Sequence, residues 1–298
     1  MDLERLSPTF CQSSVTLRSR KETDIVIFSI NLIAMRAAII FFAGLLMFRP
    51  ESTWARLLDD NCGISGLGQT DDSLGPWVAF LHVNQSIVCA GSLISQSFIL
   101  TAAHCSAKGI KARLGNSGSV PGLMPEDHDV AHILQKRSYN NRTLSNDIAL
   151  VKLTHPVQYK DHIKPICILL PPLEVEANEF IGTGWRVPQF QFSTHDLRPI
   201  FMQRVNSSVC TEKTGEALIS SQFCAKNPNP VTMEGPAGGA LYRKVVLNGV
   251  VRVIQLGIGS YNQHDFGDTR IFTDVLSFSP WIQKVVTSRD PKSQEYGY

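Results

Sequence analysis

The sequence predicts an all-β domain of about 230 residues, closed by a short C-terminal helix. Three observations lead to this prediction. After about residue 60, short apolar runs alternate with turn residues, a pattern typical of strands joined by tight turns. Asn248-Gly249 lies between two valine-rich runs, and a two-residue hairpin turn favours such residues because both positions need positive φ. Helix signals are scarce until Ser279-Pro280, which suit the start of a helix.

The predicted strands are short and apolar, and they cover residues 77–83, 87–94, 98–101, 148–153, 245–247 and 250–258. At the C-terminus, four apolar residues after the Ser279 cap form one helical face: Trp281, Ile282, Val285 and Val286. This many strands suggest a sandwich or barrels, and hydrophobic periodicity does not choose between the two.

Composition excludes several classes of protein. The chain has 298 residues, 43% hydrophobic and 18% charged, with a formal net charge of +2. Its lysines and arginines are scattered, so we expect no nucleic-acid partner. The cysteines form no C-x-x-C pair and no tight cluster with histidine, so we expect no metal site and no cofactor.

The seven cysteines point to an oxidising compartment. Cys11 stands alone near the start, whereas the other six are widely spaced, at positions 62, 89, 105, 167, 210 and 224. An even set of this kind is typical of disulfides in secreted proteins. Three glycosylation sequons agree with that compartment, at Asn84, Asn141 and Asn206.

The N-terminus carries a largely apolar segment over residues 25–48. As one block it could span a bilayer, but Arg36 would then lie at mid-membrane, at a cost of about 3 kcal/mol. Translation from Met35 would instead give a basic head, an apolar core and a cleavage site at Ala55. We favour this signal peptide over a signal anchor, and in both cases the bulk of the chain is extracytoplasmic.

Two residues are placed to do chemistry. His104 comes directly after the strand 98–101, where it could act as a general base. Cys89 is the natural partner of Cys105, and a disulfide closing so short a loop would constrain the unfolded chain by about 3 kcal/mol and fix the histidine. Asp147 precedes another apolar strand and could hold the tautomer of His104. Taken singly, each is more often a surface or capping residue.

Five segments in order, LTAAHC, NDIALVKL, KPICILL, GTGW and GPAGGAL, resemble the trypsin/chymotrypsin family of serine proteases, peptidase family S1. The resemblance runs from about residue 62 to residue 286. It implies two six-stranded antiparallel β-barrels with the active site in the cleft between them. It also implies three disulfides: Cys89–Cys105, Cys210–Cys224 and Cys62–Cys167.

The N-terminal pattern and the resemblance together predict a division of the chain. From the N-terminal pattern, residues 1–34 are expected to be an N-terminal extension of doubtful use, and residues 35–55 the signal peptide or anchor. A short propeptide-like linker follows over 56–75, then the protease-like domain over 76–288 and a tail over 289–298.

The chain departs from the family at the nucleophile. Active members carry G-D-S-G-G-P, whereas here Ala237 stands in place of the serine and Pro236 in place of the aspartate. Residues 225–259 contain no serine at all. The resemblance assigns the anion hole to the backbone N–H groups of Gly235 and Ala237. In active members the aspartate orders this loop by pairing with a new N-terminal amine, and the Arg-Ile-Val-Gly-Gly activation site is absent between residues 62 and 77.

The pocket positions that the resemblance assigns are altered as well. Met233 replaces the cysteine that normally braces the pocket, and residues 260–271 contain no partner for one. Val231 lies at the pocket floor, and Arg270 takes the place of a wall glycine, where a long cation would fill or reshape the pocket. The remaining assigned pocket positions are Ser260, Tyr261 and Asn262.

The sequence therefore predicts a secreted, non-catalytic serine protease homologue of arthropod type that binds or regulates, in an extracellular proteolytic or immune cascade. The alternative is a serine-type endopeptidase, which Ala237 contradicts. The expected partner is a protein: a protease, a zymogen or a cascade substrate. We expect contacts through the cleft-side loops 108–111, 185–192 and 261–266, and a membrane contact only if residues 25–48 are retained.

Overall fold

The computed structural model describes residues 56–64, 75–115, 124–172, 175–186, 198–228, 233–234, 237–260 and 269–289. The chain divides into two units, residues 1–53 and 54–298, and every described residue belongs to the second. The predictions on the extension, the signal segment and Cys11 lie outside the described residues. Within the described ranges, no helix is long and apolar enough to cross a membrane.

The first barrel is a closed ring of six antiparallel strands, paired in the order β1-β2-β3-β6-β5-β4. Fully buried side chains of alternating residues fill its interior, among them Leu81, Leu93, Leu100 and Leu150. The strands are β1 (Val78–Val83), β2 (Ser86–Ser95), β3 (Phe98–Thr101), β4 (Lys111–Leu114), β5 (Glu126–Gln135) and β6 (Ala149–Leu153).

The second barrel closes in the order β7-β11-β12-β13-β9-β8, with the two-residue β10 attached to β7. Phe180, Phe223 and Phe272 stack in its core with ring centroids 5.3 and 5.5 Å apart. The strands are β7 (Glu179–Arg186), β8 (Arg198–Val205), β9 (Gln222–Lys226), β10 (Met233–Glu234), β11 (Ala240–Leu247), β12 (Val250–Gly259) and β13 (Thr269–Asp274). The predicted fold of two six-stranded antiparallel barrels is confirmed.

Side-chain contacts join the two barrels. Tyr242 of β11 packs edge-on against Trp77, with the ring centroids 5.4 Å apart. Nearby, the Ser92 hydroxyl of β2 donates a buried hydrogen bond of 2.5 Å to Gln255 Oε1 of β12. Because buried polar groups are costly when unpaired, this bond helps to fix one barrel against the other.

Two helices complete the described structure. The helix α1 (Ser207–Thr214) was not predicted: Asn206 caps it by accepting from Ser208 N at 2.9 Å, and it ends at Gly215 with φ 75°. The helix α2 (Ser279–Arg289) lies at the predicted place, but Ser279 has helical torsion angles (φ −57°, ψ −36°) and is no cap. A 3₁₀ turn, Leu276–Phe278, continues directly into α2, so that the helix needs no capping side chain at Ser279.

The three disulfides are present, and they join the pairs that the resemblance implies: Cys62–Cys167, Cys89–Cys105 and Cys210–Cys224. The first ties the segment before the barrels to the linker region that follows β6. The second ties the loop after β3 to β2. The third ties α1 to β9. Each therefore holds a segment that lies outside the barrel strands, so that its loss would loosen that segment first.

An ion pair on the outside of the first barrel makes the free energy of unfolding depend on pH in the acid range. Arg113 Nε lies 2.7 Å from Asp127 Oδ1, and its hydrogen bonds hold the pKa of the Asp127 carboxyl below the usual 3.8. The stabilisation is thus present above pH 3.8 and is lost as the pH falls through the lower folded value.

We expect Asp127→Asn to lower the free energy of unfolding at neutral pH by less than about 1 kcal/mol, because the carboxylate is a third exposed and screened by water. Urea denaturation at a series of pH values measures the difference between the variant and the wild type. It should shrink as the pH falls below 3.8, and a difference that persists in strong acid would contradict the assignment.

Candidate active site

His104 lies in a 3₁₀ turn, Ala103–Cys105, that follows β3 directly. Its disulfide neighbour Cys105 is joined to Cys89 on β2, and Gln135 Nε2 on β5 donates to the carbonyl of Ala103 at 2.9 Å. Three strands thus hold the turn. The His104 side chain is 24% exposed, so that one edge of the ring can be reached from solvent.

Asp147 is fully buried and accepts three hydrogen bonds through its carboxylate. The donors are the backbone N–H of His104 at 2.9 Å, the ring Nδ1 of His104 at 2.7 Å and the hydroxyl of Ser260 at 2.7 Å. The carboxylate therefore favours the tautomer with its proton on Nδ1, which leaves Nε2 as an acceptor. The predicted pairing of His104 and Asp147 is the geometry observed.

Ala237 is buried near the disulfide that holds the His104 loop. Its carbonyl accepts from the backbone N–H of Ala90 at 2.8 Å, one residue beyond Cys89. The next residue, Gly238, has φ 77°, and a Cβ built there would lie 3.0 Å from Cys105 Sγ. The turn that carries Ala237 therefore packs directly on the base of the His104 loop. By the family resemblance, this is the turn that carries the nucleophile in active members.

No hydroxyl group of a described residue hydrogen-bonds to His104 Nε2. Among the described residues, Cys105 Sγ lies 3.7 Å from Nε2, and that sulfur is part of a disulfide. Ser260 is the first serine after Ala237, but its hydroxyl is buried and bonded to Asp147, on the other side of the imidazole. A general base is thus in place, whereas Ala237 offers only a methyl group.

The sulfurs of Cys89 and Cys105 and a ring nitrogen of His104 lie within 4.8 Å of one another, a separation compatible with a metal site. Thiolates, and not disulfide sulfurs, bind metals. Because these two cysteines are bonded to each other, the cluster is a structural element of the His104 loop.

The pocket residues are only partly described. Arg270 lines a small cavity together with Gly239, Gly259 and Phe272, so its side chain lies at the position that the resemblance assigns to the pocket wall. Ser260 was assigned to the pocket, but its hydroxyl is turned toward Asp147. The remaining predicted site residues, Val231, Gly235, Tyr261 and Asn262, lie outside the described residues, as does Pro236.

The sequence analysis missed two partners of Asp147. Ser260 was named for the pocket only, and Thr273 on β13 was not named, although its hydroxyl donates to the Asp147 carbonyl at 3.0 Å. Thr273 is a polar position within the apolar strand β13, and Ser260 directly follows the apolar strand β12, which is the signal that could have found them.

Comparisons with known proteins agree with this geometry. The family model described as Trypsin matches residues 64–282. Duodenase-1 of Bos taurus is 30% identical over 71% of this chain and 84% of its own. Granzyme B of Rattus norvegicus is also 30% identical, over 71% of this chain and 86% of its own.

Among solved structures, this chain is similar to neuropsin, a serine protease expressed in the limbic system of mouse brain. The TM-score is 0.58 at 26% identity, and the match covers 71% of this chain and 94% of the other.

Proposed function

We propose that this chain, which belongs to the trypsin family of serine proteases, acts by binding other proteins and does not cleave them. One observation carries the proposal: Ala237 stands in the sequence where active members of the family carry the nucleophilic serine, and it is buried at the base of the His104 loop. Removing that nucleophile alone costs about a millionfold in rate in this chemistry. About a thousandfold over the reaction in water could remain if the anion hole were intact.

Two further departures support the proposal. Pro236 stands where active members carry the aspartate that orders the anion hole, and the activation site that would supply its partner amine is absent before residue 77. Both halves of the family's activation switch are therefore missing. Loss of a single anion-hole donor costs about a hundredfold to a thousandfold.

A second candidate function is serine-type proteolysis. It is favoured by the intact hydrogen bond between His104 and Asp147 and by the protease relatives. The two candidate functions differ in whether a hydroxyl group of the chain can donate a hydrogen bond to His104 Nε2. Hydrolysis of amide substrates by the wild-type chain is the assay that separates them.

If His104 and Asp147 no longer turn over substrate, their remaining role is structural. We expect Asp147→Asn to lower the free energy of unfolding by about 2 kcal/mol, because an amide has only one acceptor oxygen. Its NH₂ group would face either the backbone N–H of His104 or the two donors that now share Oδ2, His104 Nδ1 and the Ser260 hydroxyl. Thermal and urea denaturation measure this.

Ser260→Ala is the matched control for that variant, since it removes one donor and leaves the carboxylate. Ser260→Ala should lower the free energy of unfolding by less than Asp147→Asn does. Equal stability of the Asp147→Asn variant and the wild type would contradict a structural role for the carboxylate.

The proposal places the protein outside the cell. Three disulfides and the exposed sequon residues Asn84, Asn141 and Asn206 support an oxidising, secretory route. Secreted material should begin shortly after Ala55 and before Cys62, which N-terminal sequencing tests. Recovery only in membranes, with residues 25–48 intact, would favour the signal anchor.

The partner is proposed to be an active protease or its macromolecular substrate, which contacts the cleft-side loops. Of these loops the structure describes 108–111, where Gly109 makes the turn with φ 77° and Lys111 pairs with Asp129 at 2.9 Å. The loop at 185–192 carries Phe190 and Phe192, which lie outside the described residues. Aromatic residues with a nearby arginine are typical of energetic anchors.

The test of the binding surface is to change Phe190 and Phe192 to alanine. Melting temperature and capture of a co-purifying partner are both measured. Lost capture at an unchanged melting temperature supports an interface there, whereas lowered melting or unchanged capture would contradict it. The arthropod cascade itself stays a prediction.

A further inference from the structure

Lysines that are scattered along the sequence come together on one side of the first barrel. Lys136 directly follows β5, Lys152 lies on β6 and Lys284 lies in the middle of α2. The helix is held beside the two strands at both of its ends. Lys136 Nζ lies 5.8 Å from the centre of the Trp281 ring, and Lys152 Nζ donates to the carbonyl of Arg289 at 2.7 Å. The three lysines define the α2 basic face.

The three lysines lie along a line of about 13 Å. Lys136 N donates to the carbonyl of Ile148, and the four strand residues from there to Lys152 span about 13 Å. The part of α2 between the two contacts spans about 12 Å, so that helix and strand have matching lengths. Lys284 is exposed and lies three residues after Trp281, on the side of the helix that carries this ring. It therefore lies between the other two lysines.

The lysines of this face have no carboxylate partner among the described residues. Residues 130–153 and 275–289 contain one acidic residue, Asp147, which is fully buried in the candidate active site. The strands β3 and β2, which continue the sheet beyond β6, contain none. On β5 the nearest acid is Asp129, and its carboxylate is paired with Lys111 of β4 at 2.9 Å.

The acids at the two ends of α2 do not neutralise the face either. Asp274 precedes the helix by several residues and accepts from the Ser277 hydroxyl at 2.5 Å. Asp290 follows Arg289 in the sequence and lies outside the described residues, and the face is defined without Arg289 for this reason.

Several lysines elsewhere on the first barrel do have acidic partners. The pairs are Lys111 with Asp129, Lys160 with Glu126 and Lys164 with Asp161. The whole chain carries a formal charge of only +2, so the α2 basic face is a local excess of positive charge that the protein does not neutralise itself. Like charges held close together repel, and an anion that covers them removes this repulsion.

The shape and polarity of the face favour a linear polyanion over a membrane. Within the described residues, no large apolar side chain is exposed in 130–153 or 279–289, so nothing there could enter an acyl layer. On the proposed secretory route, the linear polyanions that the chain meets are sulfated polysaccharides. We propose that the α2 basic face binds a sulfated polysaccharide, with its three ammonium groups against successive sulfates. Because each ammonium has three donors, Lys152 keeps its bond to the helix.

This inference goes beyond the proposed binding of a protein partner. None of the three lysines belongs to the cleft-side loops 108–111, 185–192 and 261–266. The inference also does not depend on whether the chain is catalytic, so that its failure and the failure of the proposed function are distinguishable.

The test uses heparin, a heavily sulfated polysaccharide, as the probe. Isothermal titration measures its binding to the purified full chain at an ionic strength of about 0.15 M, and added NaCl should weaken the binding. We expect the double variant Lys136→Gln, Lys284→Gln to raise Kd about tenfold or more, because one lysine close to an anionic surface contributes roughly a fivefold in affinity. Wild type that does not bind heparin, or a double variant that binds as the wild type does, would overturn the proposal.

The matched control is the double variant Lys160→Gln, Lys164→Gln, which changes the net charge by the same amount at the far end of β5. Its Kd should stay within about twofold of the wild-type value, and an equal loss in both double variants would overturn the proposal. Melting temperatures check that the variants are folded. Should Lys136→Gln, Lys284→Gln not fold, Lys284→Gln alone changes an exposed helix position and should raise Kd about fivefold.

Other polyanions distinguish the chemistry of the ligand. Hyaluronan carries carboxylates and no sulfate, and it should bind about tenfold more weakly than heparin. Equal binding of the two polysaccharides would overturn the proposal. Tighter binding to duplex DNA or to phosphatidylserine vesicles than to heparin would also overturn it and assign the face to a nucleic acid or to a membrane.

Discussion

The purified chain is expected to hydrolyse peptide amides about a millionfold more slowly than an active protease of the same family, because Ala237 provides no hydroxyl for attack. Fluorogenic peptides with varied residues before the scissile bond measure this. Ala237→Ser is expected to recover little, because Pro236 replaces the aspartate that orders the anion hole in active members and the activation site is absent between residues 62 and 77. Loss of a single anion-hole donor costs about a hundredfold to a thousandfold.

His104→Ala is the control for this assay, because this substitution does not change the activity of a contaminating protease. Activity that survives in His104→Ala is therefore contamination. Activity of the wild type that His104→Ala abolishes would contradict the proposed function and favour the endopeptidase.

Gly238→Ala is expected to cost about 3 kcal/mol or more of the free energy of unfolding. The added Cβ would lie 2.3 Å from Thr101 Oγ1 and 2.4 Å from the carbonyl oxygen of Ala90, and φ is 77°. The positive φ alone costs about 1 to 2 kcal/mol, and the clash with backbone adds about 1 to 3 kcal/mol. Denaturation in urea measures the loss.

Gly109→Ala is the matched control for Gly238→Ala. Gly109 also has φ 77°, but nothing lies within 4 Å of its built Cβ. It should lose about 1 kcal/mol, from backbone conformation alone. Equal losses in the two variants would show that Ala237 and Gly238 are not packed against the His104 loop as described.

Six of the barrel strands were predictable from the sequence because they are short apolar runs with turns between them. The strands β4, β5, β7, β8, β9 and β13 were not predicted; β5, for example, is largely polar and has no fully buried residue. Phe98–Thr101 coincides with its prediction, and the Asn248-Gly249 turn has positive φ at both residues. The helix α1 was missed because only Cys210 on it is buried, so it carries no apolar stripe that a periodicity could reveal.

The candidate site was predictable where residue types alone define it. A histidine after one strand and an aspartate before another identified the pair that the structure joins at 2.7 Å. Ser260 was assigned to the pocket, and its hydrogen bond to Asp147 was missed. The direction of its hydroxyl depends on where β12 ends relative to Asp147, which is a property of the folded chain. The strands that carry Val246, Val250 and Val251 were predicted correctly, but the exposure of these valines was not, because burial is a tertiary property.

The central claim is tested most directly by the mass of the intact wild-type chain after incubation with a fluorophosphonate, a reagent that bonds covalently to activated serines. The account predicts no adduct, even at high reagent concentration, because Ala237 offers no nucleophile and the Ser260 hydroxyl is buried against Asp147. A stoichiometric adduct that is lost in His104→Ala would contradict it, since the chain would then hold a serine that His104 activates.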